Sequence, residues 1–467
     1  MNTFKWLTIN KDELPYLKDI VHLLDEKIDL FVEKSWSNNF RRSDFDGLIS
    51  LSTKVAGLNL GILYSDFRIF GGSMGKNISL RIKEFINHME NRGQPVAFFV
   101  NVLGVRITEG RTVVKQAFSL IPVFKKFTEN QLLITIANGN SLGLGAILFR
   151  LGNYRIGVSQ KSQINLTGPQ VIKMFFGGNF DFSHHASSEV AASKRGLVQE
   201  TLPDLARVCR RIFSIMSFLT PGKQLEKIYT PSLDPHVVHS RKVKNTGKLQ
   251  DIITELGPSY EILEQGDQVI RYFICRRHHN TFAILANDPD HANNMLNVLT
   301  LQKYTQALSI FKAMSLPILT LADTPGCDPR DIKAGESLVE ELIDASCEFY
   351  AYPFKTLGIA YQRCFGGASV LFLPTILGKD YSIAVKGAEM GIMHKKILAQ
   401  LLTKSPKLYK QWLFSSEKET NDCEDLFAEG IINKVIEAED IGKEIDTHLF
   451  GKDPFIKLQV PSSIPLR

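Results

Sequence analysis

Residues 100–110 read VNVLGVRITEG. The apolar run VAFFVNV (96–102) stops at Leu103-Gly104, and the polar residues Arg106, Thr108 and Glu109 follow. A glycine where a strand ends frees the backbone from the usual restriction to negative φ and leaves its N–H groups unshielded. The stretch therefore has three readings. It is a phosphate cradle, a plain turn, or a loop that holds charge as it develops on a substrate oxygen.

The rest of the chain narrows the choice by repetition. After Gly104 comes a helical pattern, then the strand-like LLITIANG (132–139), then a second glycine loop at Gly143. The second half restarts the programme. VIRYFICRR (269–277) and NTFAILAND (280–288) read as a hairpin, followed by a helical stretch near 296–314. The strand ILTLAD (318–323) then leads to Gly326, a helix spans 334–351, and TLGIAY (356–361) leads to Gly366-Gly367. Gly104 and Gly143 are 39 positions apart, and Gly326 and Gly367 are 41 apart. Strands alternating with helices indicate an α/β chain with partly parallel sheets.

Outside these units, DIVHLLDEKIDLFVEK (19–34) places apolar residues at helical spacing and predicts an amphipathic helix in an appended N-terminal segment. Residues 219–250 hold three prolines, several basic residues and little periodicity, and read as a connection. The expected division is a helical extension at 1–54, a first domain at 55–225, a linker at 226–250 and a second domain at 251–467.

The chain has 467 residues, 44% hydrophobic and 22% charged, as expected of a packed globular protein of two or three units. Its net charge of +6 reads as that of a mildly basic soluble protein or, more sharply, as suited to an anionic partner such as a phosphorylated cofactor. No Lys/Arg block or zinc-finger signature points to nucleic acid. No apolar run approaches the length of a membrane span, and the start lacks a signal-peptide core. A cytoplasmic protein is expected. None of the six cysteines forms a C-x-x-C pair, which fits a reducing compartment and buried apolar roles.

The inventory of reactive groups is short. No GxGxxG or GxxxxGK[ST] follows a strand, so a nucleotide-binding loop is the weaker reading. GGSMG (71–75) lacks the spacing of a serine elbow. His184-His185 and His278-His279 are adjacent pairs, poorly placed to share a metal, and no metal is expected. What remains is paired glycine loops at helix N-termini. Two such loops side by side can direct two N–H donors at one oxygen, an oxyanion hole. A reaction through an enolate suits that inventory.

The ordered motifs resemble the carboxyltransferase subunits of biotin-dependent acyl-CoA carboxylases and their decarboxylase relatives. DFRIFGGSMG (66–75) is similar to that family's DF…GGS-x-G stretch, and VNVLGVRITEG to its S-G-G-A-R-x-Q-E-G loop. NSLGLGAILFRLGN (140–153), INLTGPQVIK (164–173) and the run from His184 through SSEVAA (187–192) follow in the family's order. AILANDP (283–289), LADTPG (321–326) and FGGAS (365–369) complete the set. Leu103, Glu189 and Ser369 stand where the family has Gly, Gly and Tyr. A leucine at a position of positive φ would be costly.

The resemblance implies two tandem crotonase-like domains of ββα spirals. It implies an acyl-CoA or carrier-protein thioester in the first half, its carbonyl facing N–H groups at Gly104, Gly143 and Leu144. Gly71, Gly72, Ser73, Leu103, Arg106, Gly145 and Gly168 would shape that pocket. In the second half Gly367 and Ala368 would face the ureido oxygen of carboxybiotin, with Asp323, Pro325, Gly326 and Gly366 around it. Biotin would arrive on a separate carrier protein loaded by a biotin carboxylase. The site would form between two copies, so a homo-oligomer is expected. The implied function is carboxyl transfer between carboxybiotin and the thioester α-carbon. A malonyl-type thioester decarboxylase and a non-catalytic scaffold are the alternatives.

Overall fold

The computed structural model describes residues 4–33, 45–176, 180–220, 237–238, 249–262, 269–288, 294–330, 337–394, 397, 400 and 422–451. The expected linker at 226–250 lies outside these, except for Val237, Val238, Leu249 and Gln250.

The first half builds one sheet. Its strands are β1 (Phe4–Asn10), β2 (Lys27–Glu33), β3 (Leu48–Val55), β4 (Leu58–Ser65), β5 (Val96–Val102), β6 (Leu133–Leu142), β7 (Tyr154–Val158), β8 (Gln163–Asn165) and β9 (Glu200–Leu202). They lie in the order β1-β2-β3-β4-β5-β6-β7-β9, with β8 paired to the far end of β6. β1 to β4 are antiparallel; β4, β5, β6, β7 and β9 are parallel. The helices are α1 (Lys76–Asn91), α2 (Thr112–Phe118), α3 (Leu120–Asn130), α4 (Leu144–Arg150), α5 (Pro169–Phe176), α6 (Phe182–His185), α7 (Ser188–Arg195) and α8 (Leu205–Leu219).

The second half repeats this plan. Strands β10 (Val237–Val238), β11 (Ser259–Ile262), β12 (Ile270–Arg277), β13 (Asn280–Asn287), β14 (Ile318–Thr324), β15 (Thr356–Phe365), β16 (Tyr381–Val385) and β18 (Lys434–Ile436) run in that order, with β17 (Glu389–Gly391) paired to β15. The agreement reaches single bonds. β5 and β6 shift register after Val100, and β14 and β15 shift after Ala322. Met74 N–H donates to Gly104 O and Arg106 N–H to Met74 O, both at 2.9 Å. Leu296 N–H donates to Gly326 O at 3.0 Å, and Asp328 N–H to Leu296 O at 2.8 Å.

The parallel strands read as near-continuous apolar runs because both faces are covered. One core layer belongs to the first half alone, with Phe85, Phe98, Phe124 and Phe127. Another, with Phe273, Phe282 and Ile359, belongs to the second. A third joins the halves, packing Ile62, Phe99 and Ile212 in one cluster with Tyr272, Tyr304 and Phe311. The ion pair Arg211–Glu200 (2.7 Å), fully enclosed, fixes α8 to β9.

One expectation needs correcting. The helical region at the N-terminus is present as a 3₁₀ segment, Pro15–Leu23, that buries Leu17, Ile20 and Leu23. It does not continue to residue 34, because Lys27–Glu33 is strand β2. In KIDLFVE, Ile28, Leu30 and Val32 fall two apart and enter the shared core, while Phe31 enters the first-half core on the opposite side. A pattern of two buried faces at period 2 fits a strand. Among the described residues no helix is long and apolar enough to cross a membrane.

Candidate active site

The two glycine loops of the first half meet. β5 ends at Val102 and Gly104 has φ +98°; β6 ends at Leu142 and Gly143 has φ +56°. A Cβ on Gly143 would lie 3.6 Å from Gly104 Cα, and a Cβ on Gly104 would lie 4.0 Å from Leu144 N. Any side chain at either position would enter the gap between the strand ends, and L-residues resist these φ values.

The amides around the gap sort into used and unused. Gly143 N–H donates to Asn165 O at 3.1 Å, which anchors β8 to the loop, and Leu103 N–H donates to Gly71 O at 3.3 Å. Gly104 and Leu144 donate to no described group. Leu144 and Gly145 open α4, where helical geometry leaves N–H groups without internal partners and the dipole adds positive charge. Gly145 itself is pressed on β5, since a Cβ there would stand 2.6 Å from Val102 O.

Leu103 and Arg106 shape the loop from outside the gap. Leu103 is not at positive φ, and its Cδ1 lies 2.8 Å from where a Cβ of Gly71 would be. Its side chain covers the Gly71 turn and is half exposed. Arg106 is fully engaged. Its guanidinium reaches Asp46 Oδ1 (2.6 Å), Glu109 Oε1 (3.1 Å) and Ser73 O (2.9 Å), and lies 4.4 Å from the centre of the Phe70 ring. Glu109 Oε2 accepts from Lys76 N–H at 2.8 Å and so caps α1. Ser73 Oγ donates to Phe70 O at 2.7 Å. Gly72, at φ +64°, must be glycine because a Cβ would collide with Asn101 O. Gly168 starts the turn into α5, with Ile172 N–H donating to its carbonyl at 3.2 Å, and faces open space. Glu189 is tied to the turn after β7. It accepts from Ser159 Oγ (2.5 Å) and Gln160 N–H (2.9 Å). Burial alone would raise its carboxyl, but these bonds and the Ser188 hydroxyl hold it below its ordinary value.

In the second half Gly326 (φ +122°) faces Phe365, and Gly366 (φ +64°) follows that residue. Gly366–Leu371 is a 3₁₀ helix, so the amides of Gly366, Gly367 and Ala368 open it outside its ladder. Gly326 N–H is taken by Thr324 Oγ1 at 3.1 Å. Ser369 Oγ donates to Gly366 O at 2.7 Å. Asp323, with no exposed surface, binds Arg363 through its Nε (2.6 Å), and this bond raises the guanidinium pKa against burial. Pro325 occupies the place of Leu103 in the repeat.

Sequence reading missed Asn165, Thr324, Arg363 and Asp46. The first two close amides that glycine spacing alone leaves open. Asp46 lies 60 positions from Arg106, and no local pattern connects them. Cys364 is buried and its thiol is pushed up to about 12 by desolvation, with Asp323 adding to the rise. Asp422, Cys423 and Glu424 bring ligand atoms within 4.8 Å of one another, but two of the three are exposed and the Cys423 thiol is pushed up to about 11 by burial.

Comparison with known proteins agrees with this fold. Propionyl-CoA carboxylase beta chain of Saccharopolyspora erythraea is 22% identical over 408 residues, covering 82% of this chain and 72% of the relative. Methylmalonyl-CoA decarboxylase subunit alpha of Propionigenium modestum is 23% identical, covering 80% and 76%. The crystal structure of transcarboxylase 12S, a hexamer assembly with methylmalonyl-coenzyme A and methylmalonic acid bound, superposes with a TM-score of 0.79. It shares 17% identity, over 95% of this chain and 93% of that one. Residues 25–438 match the carboxyl transferase domain, and the chain belongs to that family, whose chemistry moves a carboxyl group to or from an acyl-CoA thioester.

Proposed function

We propose that the protein transfers a carboxyl group between carboxybiotin, carried on a separate protein, and the α-carbon of an acyl-CoA thioester. The observation that carries this reading is the gap between Gly104 and Gly143, where the amides of Gly104 and Leu144 have no described acceptor. Two preorganised donors there stabilise the thioester oxygen as it takes on enolate charge. Biotin would supply the carboxyl group and accept the α-proton, and the second half fits it: Gly366 at positive φ opens a 3₁₀ turn whose first amides suit a ureido oxygen. Gly367 and Ala368 orient that oxygen, and Asp323, Pro325 and Gly326 hold the neighbouring loop. Arg106, Asp46, Glu109 and Ser73 keep the first loop in place rather than touch the thioester. The Gly71-Gly72 turn and Gly145 set the spacing of its walls. This assigns the thioester to residues 55–225 and biotin to 251–467.

The same reading makes the protein a homo-oligomer served by a biotin carboxylase and a biotin carrier protein. Exposed apolar residues beside both loops support it: Leu166, Met174, Phe175 and Phe176 by the first and Ile392 by the second. The carbonyls of Leu166 and Ile392 occupy matching places against Gly143 and Gly366.

The test is incubation with a panel of acyl- and malonyl-thioesters, with and without carboxybiotin. Carboxylated product that appears only with carboxybiotin is the expected result. CO₂ release from malonyl-type thioesters without any biotin would assign a decarboxylase instead. Absence of thioester binding would leave a scaffold.

A further inference from the structure

A cavity of about 590 Å³ lies between the two halves and away from the glycine loops. The first half lines it with Lys125 and Glu129 of α3, Arg150 at the end of α4, and Arg155 on β7. The second half contributes Lys312 from the helix Val298–Ala313 and Glu348 from the helix Leu338–Tyr350. Four cations thus face two carboxylates.

Arg155 gives the cavity its character. It is almost completely buried, yet all of its acceptors are backbone carbonyls: Leu197 (2.6 Å to Nε), Gly152 (2.9 Å to Nη1) and Gly196 (3.5 Å to Nη2). A guanidinium has five N–H donors, so two remain after these three. Buried charges normally have a counter-ion, and no described carboxylate pairs with Arg155, Arg150, Lys125 or Lys312. Burial, with the charge of Arg150 adding, pushes the Arg155 pKa down to about 9. The carbonyls of Gly196, which follows the C-terminus of α7, and of Gly152 offset part of this cost. They do not offset the like charge of Arg150.

We propose that this cleft binds a polyvalent oxyanion, a phosphate group with two or more negative charges, held by Arg150, Arg155, Lys125 and Lys312. Paired guanidiniums with flanking ammonium groups are the donor set that phosphate oxygens require. Clefts between domains are also where ligand sites concentrate. Direct ties across the halves are already made here by Asn153 Nδ2 to Ser309 Oγ at 3.2 Å and by Gln199 Nε2 to Gln306 Oε1 at 3.4 Å. An anion there would add another. It would also press on α4, which carries Arg150 at one end and Leu144 of the thioester loop at the other.

The test uses the full chain, with inorganic pyrophosphate as the probe at constant ionic strength and chloride as the control. Calorimetric titration and thermal melting are both read. Saturable binding with a rising Tm is expected. The surface variant Arg150→Gln/Lys312→Gln should fold normally and bind at least about tenfold more weakly. ADP in a parallel arm separates sources: tighter binding of ADP marks a nucleotide, and equal binding marks free phosphate. No saturable binding of either probe by the native chain up to about 10 mM, a Kd too weak to matter, would overturn the proposal. So would identical binding by the double variant. Neither readout requires turnover, so failure here would not count against the carboxyl-transfer reading, and failure of that reading would not count against this site.

Discussion

Leu144→Pro isolates one hydrogen-bond donor. Leu144 is the first residue of α4, and its N–H is unused in the structure. Proline at that position removes the N–H and shortens a buried side chain, and its ring fits the first helical turn. The preceding residue would normally resist a following proline. Gly143, at φ 56° and ψ −120°, lacks a Cβ, and this conformation is the mirror image of the extended one that proline tolerates. The fold should therefore survive. If the Leu144 amide holds the enolate oxygen, its loss costs about 3–4 kcal/mol of barrier, a fall in kcat of roughly 10²–10³. Gly143→Pro is less informative, since it would break the bond to Asn165 and demand a φ that Gly143 does not have. Leu144→Ala is the better control: it keeps every amide, leaves the gap clear and removes the same buried side chain. The assay is carboxyl transfer at saturating thioester, with circular dichroism and denaturant melts on each variant. A well-folded Leu144→Pro protein with native kcat would refute the assignment of this donor.

Three further outcomes follow from the same contacts. Arg106→Gln removes the ion pairs to Asp46 and Glu109 and should cost about 2–3 kcal/mol in urea melts with an unchanged m-value; a loss below about 0.5 kcal/mol would show that the clamp is not tight. Glu189 has a depressed folded pKa, so its contribution is present above the unfolded pKa of about 4.5 and is lost as pH falls through the lower folded value. Glu189→Gln should then lower Tm at pH 7 and converge with the native chain in acid; parallel curves at all pH values would contradict this. Cys364, held near 12, stays protonated at pH 8, and alkylation should mark the exposed Cys347 while leaving Cys364 unlabelled by mass spectrometry. Rapid labelling of Cys364 in folded protein would show that it is reachable after all.

The fold was legible because its signal is periodic and duplicated. VAFFVNV, LLITIANG, ILTLAD and TLGIAY are buried on both faces, so each reads as a short apolar run ended by glycine. The N-terminal region was less legible because DIVHLLDEKIDLFVEK satisfies two periods at once. Helical spacing holds through Leu23, and strand spacing takes over at Ile28. The site was legible as glycines and not as donors. Spacing marks where the chain bends, but which amide is free depends on partners the glycines do not name, distant as Asn165 is for Gly143 or adjacent as Thr324 is for Gly326. Arg106 was legible as a motif residue. Its use as a clamp required Asp46, which only the folded chain brings near.

The duplication also answers why a leucine can precede Gly104. The two halves place Leu103 and Pro325 at the same step of the same loop. A proline is confined to φ near −65°, so the second half shows directly that this step needs no positive φ. Leu103 agrees, being absent from the residues with positive φ. The strain falls one residue later, on Gly104 (+98°) and Gly326 (+122°), where both halves keep glycine. The first position of the loop is thus open to any residue whose side chain has somewhere to go. For Leu103 that place is the surface of the Gly71 turn, away from the gap. A substitution there should change how firmly two turns pack together, and it should leave the donors of Gly104 and Leu144 where they are.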